Sequence, residues 1–62
     1  MKENKAFYRA EDLAEALDVN VVTIYRYIKS GKLKAYKFGK EFRIETSDFK
    51  SFLEQSKTDN QL

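Results

Sequence analysis

The sequence predicts a small α+β domain that is mainly helical: a helix-turn-helix, then a two-stranded β-hairpin and a closing helix. Two short apolar patterns with helical spacing are separated by three residues, 18–20. The next stretch changes to strand-like runs on either side of Gly39 and Lys40. Sixty-two residues are near the lower limit for a chain that folds without disulfides or metals, so we expect one domain.

The first helix is predicted from Arg9 to Leu17, where apolar residues recur at intervals of three and four. Glu11 and Asp12 lie in its first turn, where the helix dipole favours negative charge. We expect the helix to stop near Asp18, because aspartate tolerates the left-handed backbone conformation that a sharp turn needs.

The second helix is predicted from Val21 to Lys29, with Asn20 as its N-cap. Gly31 supplies the left-handed residue that ends it, and Leu33 is placed to close a hydrophobic contact behind that cap. Two helices joined by a three-residue turn indicate a helix-turn-helix.

A helical wheel divides the second helix into two faces, since each residue advances by about 100°. Tyr27 shares the inward stripe with Ile24 and Ile28, so Tyr25 must point outward. The outward set is Val22, Tyr25, Arg26 and Lys29. Arg26 suits guanine or phosphate, Lys29 suits phosphate, and the other two offer apolar contact to thymine or sugar. Two alternatives stay open: the apolar pair packs under the hairpin, or the cations form only a solvated face.

The hairpin is predicted to turn at Gly39-Lys40, with glycine first as a type II′ turn requires. Thr46 or Ser47 is expected to cap a third helix over residues 48–55. The predicted domain spans residues 7–55, with flexible ends at residues 1–6 and 56–62.

Positive charge is concentrated in the middle of the chain. Residues 21–43 hold seven Lys and Arg against one acid, Glu41, whereas acids outnumber bases in both flanking segments. Such a concentration is typical of a face that binds a polyanion. A merely solvated Lys-rich surface would interleave acids among its bases.

The composition narrows the function classes. There is no Cys and no His, so disulfides, thiolate metal sites and the commonest general base are missing. A carboxylate-only Ca²⁺ or Mg²⁺ site stays open, but no spaced Asp run of the EF-hand type occurs. No apolar run has the length of a signal or membrane segment. We therefore expect a cytoplasmic, non-enzymatic protein without a cofactor or metal.

Residues 7–53, FYRAEDLAEALDVNVVTIYRYIKSGKLKAYKFGKEFRIETSDFKSFL, resemble the excisionase-type helix-turn-helix proteins, small relatives of the MerR DNA-binding domains. The matching elements are the acidic first helix, the stretch TIYRYIKSGKLKA, the wing GKEFRI and the closing SDFKSFL. The resemblance implies a winged helix-turn-helix whose second helix enters the major groove. The recognition-helix positions would be Asn20, Val22, Thr23, Tyr25, Arg26 and Lys29, and the wing positions would be Lys37, Lys40 and Arg43.

Several positions depart from that family pattern. Arg9 stands where relatives have a capping Thr or Ser, Asp18 replaces Gly, and Phe42 replaces a common Trp of the wing. A lost cap costs about 1 kcal/mol, so we expect modest stability. Arg43 has alternatives to DNA: it could pair with Glu45 or with an acid of the first helix.

We therefore expect sequence-specific binding of double-stranded DNA, in a prokaryotic plasmid or phage context near the nucleoid. The role would be that of a recombination directionality factor assisting an integrase or recombinase, or of a small transcriptional regulator. The chain should be a monomer in solution, with several copies on adjacent sites bending the DNA. No membrane and no small-molecule effector is expected, since the dimerisation helix and effector domain of full MerR regulators are missing. The competing hypothesis is a protein-interaction adaptor in which the basic face meets an acidic partner and Tyr25 is a hot spot.

Overall fold

The computed structural model describes residues 6–57, so the predicted flexible ends fall mainly outside the described residues. Over residues 6–57 the chain forms three helices and three strands. In chain order they are β1 (Phe7–Arg9), α1 (Ala10–Leu17), α2 (Val21–Lys29), β2 (Tyr36–Phe38), β3 (Glu41–Glu45) and α3 (Thr46–Ser56). This confirms the predicted fold class, a mainly helical α+β domain with a helix-turn-helix and a hairpin.

Both ends of α1 are satisfied by short-range hydrogen bonds. The backbone N–H of Arg9 donates to the Asp12 carboxylate at 3.0 Å, the reciprocal half of a capping box. The Arg9 side chain supplies no cap, so Asp12 compensates in part for the Thr or Ser of relatives. Asp18 ends the helix at φ 57°, which confirms the predicted left-handed stop.

The capping of α2 follows the prediction. The Asn20 side-chain oxygen accepts from the Val22 N–H at 2.9 Å. Gly31 takes φ 86° beyond the other end, and its N–H donates to the Ile28 carbonyl at 3.1 Å. The next N–H, of Lys32, reaches the Tyr27 carbonyl at 3.0 Å, which completes a Schellman motif. The direction of α2 is thus fixed at both ends.

The hairpin also has the predicted turn. Phe38 pairs with Glu41, which leaves Gly39 and Lys40 as a two-residue loop. Gly39 has φ 63° and Lys40 stays at negative φ, the combination of a type II′ turn.

The sheet has one more strand than the sequence predicted. Strand β1 pairs antiparallel with β3, so the order is β1-β3-β2 and the hairpin strand β3 is central. Tyr8 lies opposite Ile44, and Arg9 lies opposite Arg43. A three-residue strand shows no readable alternation by itself, and only pairing with β3 reveals it.

The predicted cap of α3 is wrong. The helix begins at Thr46 after Glu45, and no side chain caps it. The N–H and hydroxyl of Thr46 both donate to the Ala6 carbonyl, at 3.1 and 3.3 Å, because β1 lies alongside at this point. The helix then extends to Ser56, one residue past its predicted end.

Among the described residues, the core is built from the three helices, β3 and the loop that follows α2. Ile24 and Ile44 are fully buried, and Leu13 and Leu33 nearly so. The remaining buried residues are Ala10, Ala14 and Phe52. This core holds α2 by its inward stripe and leaves its other side free.

Candidate nucleic-acid interface

The outward face of α2 is accessible, as the helical wheel predicted. Val22 is 51% exposed and Tyr25 is 39% exposed, whereas Ile24 between them is fully buried. Arg26 and Lys29 are also exposed and lie in the second half of the helix. The helix contains no acidic residue, so nothing on this element neutralises the two cations.

Tyr27 takes the inward role predicted for it. Its ring is half-buried against the core, and its centroid lies 5.1 Å from that of Phe52 on α3. The two tyrosines of α2 therefore have opposite orientations.

The N-terminal end of α2 carries the other two predicted recognition positions. Asn20 is exposed, and its side-chain oxygen is engaged in the cap described above. Thr23 is half-buried, and its N–H donates to the Asn20 carbonyl at 2.9 Å. Both residues therefore take part in the hydrogen bonds that begin α2.

Phe42 joins α2 to the hairpin, and the sequence did not mark it as a site residue. Its ring centroid lies 5.8 Å from that of Tyr25. The Lys37 ammonium nitrogen also lies 5.7 Å from the centroid of the Phe42 ring, close enough for a cation–π contact. The register of the hairpin explains the contact with Lys37, because Lys37 lies directly opposite Phe42. A signal was available in the sequence, since a type II′ turn at Gly39 fixes that pairing.

The sequence left open whether Tyr25 packs under the hairpin or is exposed for contact, and the structure shows both. It packs against the wing through Phe42 and still exposes more than a third of its surface. The wing adds Lys37 on the same side of the sheet as α2 and Lys40 at the exposed tip.

Arg43 lines the same shallow cavity as Tyr25 and Lys40, but its guanidinium is held in an ion pair. Residues on a strand alternate between the two sides of a sheet, so Arg43 faces away from its neighbours Phe42 and Ile44. Its guanidinium pairs with the Glu41 carboxylate at 2.5 Å and also donates to the Phe42 carbonyl at 3.5 Å. The partner is an acid of the same strand, where the sequence suggested Glu45 or an acid of α1.

The pairing has an electrostatic consequence for Glu41. The hydrogen bond from Arg43, the Arg43 charge and the Arg9 charge across the strand pair together hold the pKa of Glu41 below its ordinary value. Arg43 is therefore part of a charge cluster on the outer side of the sheet.

The sequence as a whole matches a known domain profile. The profile of a helix-turn-helix domain family covers residues 7–57, which is nearly all of the described chain. The chain belongs to this helix-turn-helix family. The family includes excisionase-like small DNA-binding proteins, and its members are typically not enzymes. Its helix-turn-helix indicates DNA binding.

A curated relative also matches. Residues of this chain are 38% identical over 45 positions to the Bacillus subtilis (strain 168) protein named "Uncharacterized protein YvgK". The match covers 73% of this chain and 15% of that protein, so the shared domain is a small part of the relative. No solved structure matches the chain.

Two further findings on residues 6–57 concern membranes and metal ions. None of their helices combines the length and apolar character needed to cross a membrane. Within the same range, no three His, Cys, Asp or Glu side chains come together in a group that could hold a metal ion.

Proposed function

We propose that this protein reads duplex DNA in a sequence-specific way, with the exposed face of α2 in the major groove. The observation that carries the proposal is the acid-free outward face of α2, where two cations flank exposed apolar groups. A major groove is wide enough to admit such a helix and presents a different pattern for each base pair.

Each side chain of this face has a matching role. Arg26 can donate two hydrogen bonds to the guanine O6 and N7 atoms, and Lys29 suits a phosphate as a point charge. Val22 and Tyr25 offer apolar contact to a thymine methyl or a sugar. Asn20 and Thr23 lie at the helix end, where backbone N–H groups favour a phosphate.

The wing would contact the backbone or minor groove beside α2. Lys37 points to the α2 side of the sheet and Lys40 lies at the tip, so both can reach the adjacent strand of DNA. We assign Arg43 a structural role, because its guanidinium is bound to Glu41 on the opposite side of the sheet.

Two biological roles fit such a domain: a recombination directionality factor that assists an integrase, or a small transcriptional regulator. A single domain of this size buries only about 600–1,000 Å² on DNA. Several copies on adjacent sites, with bending of the DNA, would supply the affinity that one copy lacks. A nucleoid location in a prokaryotic cell follows from the same proposal.

The test begins with selection of bound duplexes from a random pool. Affinity for the selected site, and for a scrambled one, is then measured at several salt concentrations. Arg26→Ala should cost about 1–3 kcal/mol on the selected site and reduce the preference over the scrambled one. Lys50→Ala is the matched control, since it removes one exposed cation from α3 instead.

Two outcomes would contradict the proposal. If no duplex is bound at low salt, the basic face serves a protein partner, as the adaptor hypothesis holds. If Arg26→Ala and Lys50→Ala behave alike on both duplexes, α2 does not read the bases.

A further inference from the structure

Three aromatic side chains lie on the side of the sheet that faces away from the core. Phe7 is 40% exposed, Tyr36 is 49% exposed and Phe38 is 61% exposed. The ring centroids of Phe7 and Tyr36 are 6.0 Å apart, and those of Tyr36 and Phe38 are 6.4 Å apart. We call these three residues the outer aromatic patch.

The outer aromatic patch is separate from the DNA-binding surface. Tyr36 and Phe38 alternate with Lys37, which points toward Phe42 and α2, so the two aromatics point the other way. Phe7 contacts Tyr36 and therefore belongs to the same side. DNA bound along α2 would leave this side of the sheet uncovered.

The patch has the composition of a protein-interaction surface. Aromatic residues and arginine are enriched where proteins meet, and contiguous exposed apolar patches are often functional. With about 150–250 Å² of surface on each aromatic side chain, these exposed fractions amount to roughly 300 Å² in total.

The charges beside the patch favour one class of partner. Two cations, Arg9 and Arg43, and two acids, Glu41 and Glu45, lie on the same side of the sheet. Arg43 and Glu41 already pair with each other, which leaves Arg9 and Glu45 as one cation and one acid on this side. A second copy packed on the same side can set its own acid and cation against these two, so the charges of the two surfaces are complementary. A nucleic-acid strand would be better served by a surplus of cations, as α2 has.

We propose that the outer aromatic patch is an interface between two copies of this chain, packed sheet against sheet. Its roughly 300 Å² per copy is well below the 800 Å² per partner of a stable complex. The free protein is therefore monomeric at low concentration and pairs when copies are held close together. The use of this contact to join DNA-bound copies rests on the proposed function, but the self-association does not.

The test is made on the full chain labelled with ¹⁵N, first without DNA and then with added single-stranded DNA or with the selected duplex. Amide shifts and the sedimentation-equilibrium mass are followed from about 20 μM to about 2 mM, a range that brackets the weak affinity of so small a contact. We expect the mass to rise toward that of a dimer, with shifts centred on β1 and β2. The double substitution Tyr36→Ser and Phe38→Ser should abolish the rise in mass with concentration.

Leu53→Ser is the matched control, because Leu53 is 40% exposed like Phe7 but lies on α3. It should leave self-association unchanged. A constant monomer mass up to the highest concentration would overturn the proposal. So would self-association that survives the double substitution, or shifts of the same amides caused only by added single-stranded DNA. Loss of DNA binding with self-association intact would refute the proposed function alone.

Discussion

The two sides of α2 are made from the same nine residues and have opposite tasks. The inward side is held by Ile24, which is fully buried, and by Tyr27 against Phe52. The outward side begins with Val22, which is 51% exposed although it lies only two residues before Ile24 in the same helix. We expect stability to depend on the first side and the proposed DNA recognition on the second, so substitutions on each side should separate the two properties.

The largest effect is expected on the inward side. Ile24→Ala removes buried methylene and methyl groups and leaves a cavity, which should cost about 2–5 kcal/mol of unfolding free energy. Ile24→Val is the graded variant, with an expected loss of about 0.5–1.5 kcal/mol. Urea denaturation followed by circular dichroism measures both.

Val22→Ala is the matched control on the other side of the helix. It should change the unfolding free energy by no more than about 0.5 kcal/mol while weakening binding to DNA that presents a thymine methyl. Equal destabilisation by the alanine substitutions at Ile24 and Val22 would contradict the division of α2 into two faces.

The Asn20 cap stabilises the start of α2 and so supports both the inward and the outward side of the helix. Asn20→Ala should lower the unfolding free energy by about 1 kcal/mol, because the Val22 N–H loses its acceptor. Asn20→Ser keeps a capping oxygen and should recover most of the loss in the same denaturation experiment. If serine fails to do so, the Asn20 side chain acts through contacts other than the cap.

A smaller effect is expected where the outward side meets the wing. Lys37→Ala should lower the slope of log affinity against log salt by about one, because one phosphate contact is lost. Phe42→Leu keeps an apolar side chain under Lys37 but removes the ring that contacts it and Tyr25. If Phe42 positions Lys37, the effect of the double variant on the slope should be no larger than that of Lys37→Ala.

Lys50→Ala again provides the reference for a cation outside the proposed surface. Additive effects of the substitutions at Phe42 and Lys37 would show that the wing lysine is positioned by something other than this ring.

The smallest effect is expected on the outer side of the sheet, at Glu41. Because its pKa is lowered in the folded chain, the pair with Arg43 contributes stability above the ordinary pKa of the carboxyl, and this contribution is lost as pH falls through the lowered value. In thermal unfolding, the melting temperature of Glu41→Gln should be lower than that of the parent protein near neutral pH. The difference between the two melting temperatures should disappear in acid. A difference that is constant with pH would mean that the ion pair has no part in it.

Local rules were sufficient for the parts of the fold that depend on neighbours in sequence. The stop at Asp18, the Asn20 cap, the Gly31 ending and the turn at Gly39 each depend on a backbone conformation that a few residues decide. The same holds for the two faces of α2, because helical periodicity alone separates Tyr25 from Tyr27.

Other features depend on contacts between segments that are distant in sequence. Strand β1 is too short to be predicted without its partner β3. Because β1 pairs with β3, the Ala6 carbonyl lies beside Thr46 and accepts a hydrogen bond from its hydroxyl, which the sequence had predicted as a helix cap. Pairing across the sheet also decided that Phe42 contacts Tyr25 and that Arg43 turns away to Glu41. The sequence by itself determined α2, its two caps, the stop of α1 at Asp18 and the outward face of α2, because those depend on short-range backbone geometry. Only the tertiary structure decided the pairing of β1 with β3 and which side of the sheet packs on the core, because both depend on contacts between distant segments.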